Sequence, residues 1–219
     1  MSEWPSDWFS PECERCPRLA AHLREVRGER PGYHAAPVPP FGPRRAPLLI
    51  VGLAPGMHGA NRTGRPFTGD YAGILLYESL HGLGLASRPE ALSADDGMVL
   101  KGVRITNAVK CLPPANKPTG REVRECNAFL AAEIAGGAPR AVLALGRIAH
   151  DATLKALGQR PAAWTFGHGA EHALPDGPVL VDSYHCSRYN TQTRRLTGEM
   201  FRSALARAAM LAGVITEPR

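Results

Sequence analysis

Four short, nearly continuous apolar runs lie at 48–53 (Leu-Leu-Ile-Val-Gly-Leu), 103–109 (Val-Arg-Ile-Thr-Asn-Ala-Val), 141–145 and 179–183. Runs this short and this continuous suit strands buried on both faces. Stretches of helical periodicity lie between them. Strand alternating with helix argues for a parallel sheet covered on both sides. The expected fold is therefore α/β, a three-layer α/β/α sandwich with a central four-stranded parallel sheet. Helices are predicted from Pro17, with Leu19, Leu23 and Val26 on one face, and through Ile74, Leu75 and Leu80 after a glycine-rich loop over 54–73. Others are predicted over 119–134, where Thr119 and Glu122 form a capping-box pattern, over about 147–157 with Gly158 as the stop, and over roughly 197–211. Segment 31–47 is rich in proline and reads as an extended surface loop, and 84–102 as a variable connection. The 219 residues suit one domain spanning 1–219, with an N-terminal arm over 1–30.

In open parallel sheets ligands bind beyond the C-terminal ends of the strands. The loops there are the most polar in the chain. The first runs from Gly52 through Ala54, Gly56, Arg62, Arg65 and Phe67 to Asp70, the only carboxylate in the stretch. It is neither a dinucleotide fingerprint nor a phosphate loop. Phe67 is suited to stacking on a flat ring. Asp70 has two readings, a reactive carboxylate or the cap of the next helix. The second loop starts at Asn107, whose amide offers both a donor and an acceptor. The last offers His185, Arg188 and Tyr189. Asp70, Asn107 and His185 converge on one edge of one sheet, and that favours a functional site.

The formal net charge is +6, and only four of the 26 basic residues are lysine. Arginine forks suit bidentate phosphate contacts, so nucleic acid is a permitted partner. No segment holds the ~18 apolar residues of a membrane span. The first residues lack a basic start followed by an apolar core, so an intracellular protein with unpaired cysteines is expected.

Cys13 and Cys16 form a C-x-x-C pair, Cys111 follows the second strand, and Cys126 falls on the apolar face of its predicted helix. The scatter does not match the paired knuckles of common zinc sites and suits an iron–sulfur cluster better. Cys111 and Cys126 also have a plain reading as small core residues.

Taken together, G-L-A-P-G, H-G-A-N-R-T-G-R-P-F-T-G-D, T-N-A-V-K-C-L-P-P-A-N-K-P and H-x-S-x-x-N-x-Q-T, with the C-x-x-C arm, resemble the uracil-DNA glycosylase superfamily, most closely its type B, or family 5, branch. The resemblance implies a DNA-repair enzyme that hydrolyses the N-glycosidic bond of uracil, and of other deaminated bases, flipped out of DNA. It implies a 4Fe–4S cluster on Cys13, Cys16, Cys111 and Cys126. Asp70, His185 and Asn107 become the expected catalytic residues. Phe67, Asn107, Gly52 and Ala54 become the base-binding set, and Arg188, Tyr189, Arg62 and Arg65 the DNA-binding set. Double- and single-stranded DNA is the expected partner of a cytoplasmic monomer.

The chain departs from the superfamily at two positions. Ala54 stands where most branches carry an acid or amide, as in type B, which leaves water activation to Asp70. Cys186 stands where proline usually follows the histidine. The alternatives are a glycosylase acting mainly on hypoxanthine or xanthine and a non-catalytic iron–sulfur DNA-damage binder. An iron–sulfur redox protein would need a nucleotide or flavin motif, and none is found.

Overall fold

The structure is a computed structural model that describes residues 4–216. The first three residues of the arm lie outside it. In chain order the regular elements are α1 (Pro17–Glu29), β1 (Leu48–Gly52), α2 (Ala60–Thr63), α3 (Tyr71–Gly82) and β2 (Val103–Asn107). Then come α4 (Gly120–Gly137), β3 (Ala141–Leu145), α5 (Arg147–Ala156), β4 (Glu171–Ala173), β5 (Val179–Ser183), α6 (Arg188–Gln192) and α7 (Gly198–Leu211).

The sheet order is β2-β1-β3-β5-β4. The four expected strands are parallel, and β4 joins β5 antiparallel at the edge as a fifth. Successive residues of a strand point to opposite faces, and the core divides accordingly. Leu48 and Ile50 pack with Leu76, Leu80, Phe201 and Leu205 of α3 and α7. Leu49 and Val51 pack with Leu23, Leu130 and Ala149 of α1, α4 and α5. The result is the three-layer sandwich. Because β1 lies between β2 and β3, the chain leaves it first to one side and then to the other, which opens a crevice at its C-terminal end.

Two helix boundaries differ from expectation. Helix α3 begins at Tyr71, inside the predicted loop, because the Asp70 side chain accepts the Gly73 N–H at 3.0 Å and caps it. Helix α4 has its capping box, with Thr119 and Glu122 bonding each other's backbone, and runs on to Gly137. Glu122 also takes a forked pair of bonds from Arg18, at 2.8 and 2.7 Å, which ties α1 of the arm to α4. Cys186, in place of proline, is buried in the core and its thiol lies 3.4 Å from the Ala72 carbonyl.

Two polar networks are buried between the layers. Glu133 accepts from Arg104 at 2.9 Å, Thr106 at 2.9 Å and Lys110 at 3.0 Å, and its own carbonyl takes a further Arg104 bond. In the other half of the sheet, Asp182 of β5 bonds His150 at 2.8 Å and His172 at 2.9 Å, and His150 reaches the Trp164 carbonyl at 3.1 Å. Both ring nitrogens of His150 thus face acceptors, which requires a proton on each. Burial alone would lower the His150 pKa, but the hydrogen bond and charge of Asp182 outweigh it and raise the pKa.

Candidate active site

A cavity of about 370 Å³ opens at the C-terminal ends of β1, β2 and β5 and is lined by Ala54, Phe67, Asp70, Asn107 and His185. Its size suits one small flat molecule. Gly52 ends β1 directly opposite Asn107 of β2. A Cβ on Gly52 would collide with Asn107 Oδ1 and stand 2.6 Å from the Phe67 ring, so only glycine lets both side chains meet there. Phe67 is buried and held at φ 54°, a left-handed conformation that is costly for an aromatic residue. Strain of this kind persists where the surroundings impose it, commonly at functional sites. Its ring lies 6.0 Å from that of His185, with planes 28° apart.

Asp70 is the cap of the next helix, one of its two readings, and it also lines the cavity. One carboxylate oxygen caps α3. The other faces the first loop, where a Cβ on Gly59 would collide with it. Burial raises its pKa, and bonds from the Gly73 and Ala72 backbone oppose the rise. Burial also pushes His185 down to about 4, so its imidazole is neutral at physiological pH. Asn107 Oδ1 is buried with no hydrogen-bond partner among the described residues. Asn61 has both amide atoms in the same state, but it is not among the residues lining the cavity. A buried unpaired acceptor costs roughly 1–3 kcal/mol, and at Asn107 a ligand donor would remove that cost.

The DNA-binding set divides. Arg188 opens α6 and its guanidinium lies 5.1 Å above the Tyr71 ring. Tyr189 beside it is 71% exposed. Arg62 bonds the His58 carbonyl at 2.7 Å and lines an outer groove of about 820 Å³ that shares Gly56, Asp70 and Ser187 with the cavity. Arg65, by contrast, is buried: it forks onto Asp96 at 2.8 and 2.6 Å, donates through Nε to Thr68 at 2.8 Å and stacks on Phe41, so its charge and most of its donors are already engaged. Asn116 and Ser187 line both cavity and groove, and neither belongs to the set expected from the sequence. Asn116 follows Ala115 in the left-handed region, at φ 56° and 53°. The pair Pro113-Pro114 before an asparagine, which tolerates that region, was the available signal.

Cys13, Cys16, Cys111 and Cys126 line a single separate pocket with Phe9, Leu19, Val109 and Phe129. The Lys110 N–H donates to Cys126 Sγ at 3.3 Å. Burial, more than the neighbouring thiols, pushes the Cys16 thiol up to about 11 and raises Cys111. A bound metal would reverse that by stabilising the thiolates. Thiolates on one tetrahedral zinc stand about 3.8 Å apart, from a Zn–S bond of ~2.3 Å. Among the described residues, the one group of three or more ligand atoms within 4.8 Å of one another is His150, His172 and Asp182. No three of the four sulfurs form such a group, and all four line the one pocket.

The family model of the Uracil DNA glycosylase superfamily matches residues 39–209. A type-5 uracil-DNA glycosylase of Thermus thermophilus is 51% identical over 209 residues, covering 92% of this chain and 94% of the relative. The type-5 enzyme of Pyrobaculum aerophilum is 43% identical over 221 residues, with 96% of each chain covered. A type-4 uracil-DNA glycosylase of the same organism is 38% identical over 150 residues, covering 68% of this chain and 62% of the relative.

Proposed function

The chain belongs to the uracil-DNA glycosylase superfamily, and from that premise we propose that it removes uracil from DNA in the cavity between β1, β2 and β5. The observation that carries this reading is the meeting of Phe67, Asp70, Asn107 and His185 around one base-sized space. Phe67 stacks on the flipped ring. Asn107 accepts the imide N–H and donates to the adjacent carbonyl, a bidentate match that one amide supplies. Gly52 and Ala54 keep the floor low enough for the ring to approach.

The bond between C1′ and the base nitrogen breaks with its electron pair going to the base. An oxocarbenium-like sugar and an anionic base result. Neutral His185 donates to the anion, and loss of one such donor typically costs about 100- to 1000-fold. The free oxygen of Asp70 orients water toward C1′ and offsets the positive sugar while its partner oxygen holds the helix cap. The water adds its oxygen to C1′ and passes its proton to the Asp70 carboxylate, which returns it to solvent, while the base leaves as the anion and is protonated in solution. Arg188, backed by Tyr71, and Tyr189 fill the gap left in the stack, at a site where extrusion costs roughly a few kcal/mol. Arg62 holds a phosphate at the groove.

Cys13, Cys16, Cys111 and Cys126 are the proposed ligands of a 4Fe–4S cluster. When bound, it supplies a covalent tie between the arm, the β2 loop and α4. The protein is proposed to act as a monomer. No helix among the described residues is long and apolar enough to cross a membrane, and a cytoplasmic site of action is proposed.

The test is incubation with duplexes carrying uracil or, as a control, thymine, followed by alkali to cut at abasic sites. Cleavage at uracil alone supports the reading, and an intact uracil strand contradicts it. Anaerobically prepared protein should hold about four irons per chain, and Cys126→Ser should lose them. Stoichiometric zinc without iron would contradict the cluster.

A further inference from the structure

His185 acts in the proposed reaction through its ring, yet the contact recorded for that ring is with Phe67, at 6.0 Å. Its aim therefore depends on its backbone. Cys186 follows it, so no proline ring stiffens the next peptide. Two side chains grip the backbone instead. Asn190 Nδ2 donates to the His185 carbonyl at 2.8 Å. On the other side, the Tyr184 N–H donates to His168 Nδ1 at 3.2 Å.

His168 is well fixed for this task. Its ring stacks on Tyr184 at 5.2 Å with planes 25° apart, and Arg195 lies 4.6 Å from the same Tyr184 ring. With Nδ1 accepting from Tyr184, a neutral imidazole carries its proton on Nε2. Burial lowers its pKa, which holds this neutral form at physiological pH. The segment carrying it is itself tied to β5. Gly169 N bonds the Asp182 carbonyl at 2.8 Å, Asp182 N bonds the Ala170 carbonyl at 2.9 Å, and Gly167 N reaches the Asp182 carboxylate at 3.3 Å. The buried His150–Asp182–His172 network anchors the same strand end.

We propose that His168 is a positioning residue: by accepting the Tyr184 N–H it fixes the Ser183–Tyr184 peptide, one residue ahead of His185, and so aims the His185 imidazole at the leaving base. The proposal rests on the assignment of His185 to base-anion stabilisation. A misplacement of about 1 Å at a reacting group can cost on the order of 100-fold. Asparagine is the conservative replacement, since its Oδ1 can take the place of Nδ1 as acceptor.

The experiment measures single-turnover uracil excision and, separately, binding to a duplex carrying 2′-fluoro-2′-deoxyuridine, which resists cleavage. His168→Ala is expected to lower the excision rate by about 10- to 100-fold with binding nearly unchanged. His168→Asn should recover most of the loss. In a His185→Ala background, His168→Ala should have no further effect on the rate, because the group it aims is gone. A wild-type rate in folded His168→Ala would overturn the proposal. So would an undiminished effect of His168→Ala in the His185→Ala background, which marks a general structural role. Failure of the wild-type protein to excise uracil would instead remove the reading on which the proposal rests.

Discussion

The buried polar groups between the layers and those at the sheet's end follow opposite rules. Behind β2, the Glu133 carboxylate is bonded by Arg104, Thr106 and Lys110 together. Beside β5, Asp182 is shared by two histidines and a backbone N–H. In the cavity, Asn107 Oδ1 is buried with nothing to bond, although Asn107 is only one residue beyond Thr106. Neighbouring positions of one strand thus point into a satisfied network and into an unsatisfied pocket. The satisfied groups hold the fold, whereas the unpaired Asn107 acceptor in the cavity is open to a ligand donor.

The largest effect should come from breaking a satisfied network. Glu133→Ala leaves Arg104 and Lys110 buried with no counter-charge, which typically costs about 3–5 kcal/mol. Chemical denaturation should show a loss of that size against a total of ~5–15 kcal/mol for a typical domain. A loss below about 1 kcal/mol would mean that water or relaxation reaches the site. Asn107→Ala should do the reverse. It removes an orphan acceptor, so the fold should be no less stable, while uracil excision falls by roughly 10- to 100-fold, equivalent to the ~1–3 kcal/mol of a bidentate base contact. A destabilised Asn107→Ala protein with normal excision would erase the contrast between the two regions.

The smallest effect concerns pH. The proposed mechanism requires Asp70 ionised and His185 neutral. Burial raises the Asp70 pKa, so excision should fall on acidification at a pH above the ordinary carboxylate value of ~4. His185 stays neutral down to about 4 and sets no limb above that. A rate profile flat down to pH 4 would take Asp70 out of the chemistry.

The strands and most helices are legible because they are written as local apolar runs. Strand β4 is not. Its three residues Glu171, His172 and Ala173 carry no strand pattern, and they are held by pairing with β5 and by the Asp182–His172 bond. The start of α3 escapes the pattern because Gly73 looks like part of the glycine-rich loop. In the fold, Ala72 and Gly73 lie inside the helix that Asp70 caps. The lining of the cavity is legible at Phe67, Asp70, Asn107 and His185, which sit at strand ends or in the first loop. Arg65 misleads because its partner Asp96 lies 31 residues away, in a connection with no pattern of its own. The Tyr184–His168 bond joins residues 16 apart on different segments, and no spacing announces it.

The central claim, that the cavity performs the chemistry and that Asp70 serves it beyond capping α3, is tested most directly by Asp70→Asn. Asparagine caps a helix about as well as aspartate. The folded Asp70 pKa lies above its unfolded value, so ionisation weakens the fold as pH rises from the unfolded toward the folded pKa. The variant should therefore melt at the same temperature or higher at neutral pH. Its single-turnover excision of uracil should fall by about 100-fold or more, the usual scale for a lost base or electrostatic contribution. A wild-type excision rate in a stably folded Asp70→Asn protein would contradict the account.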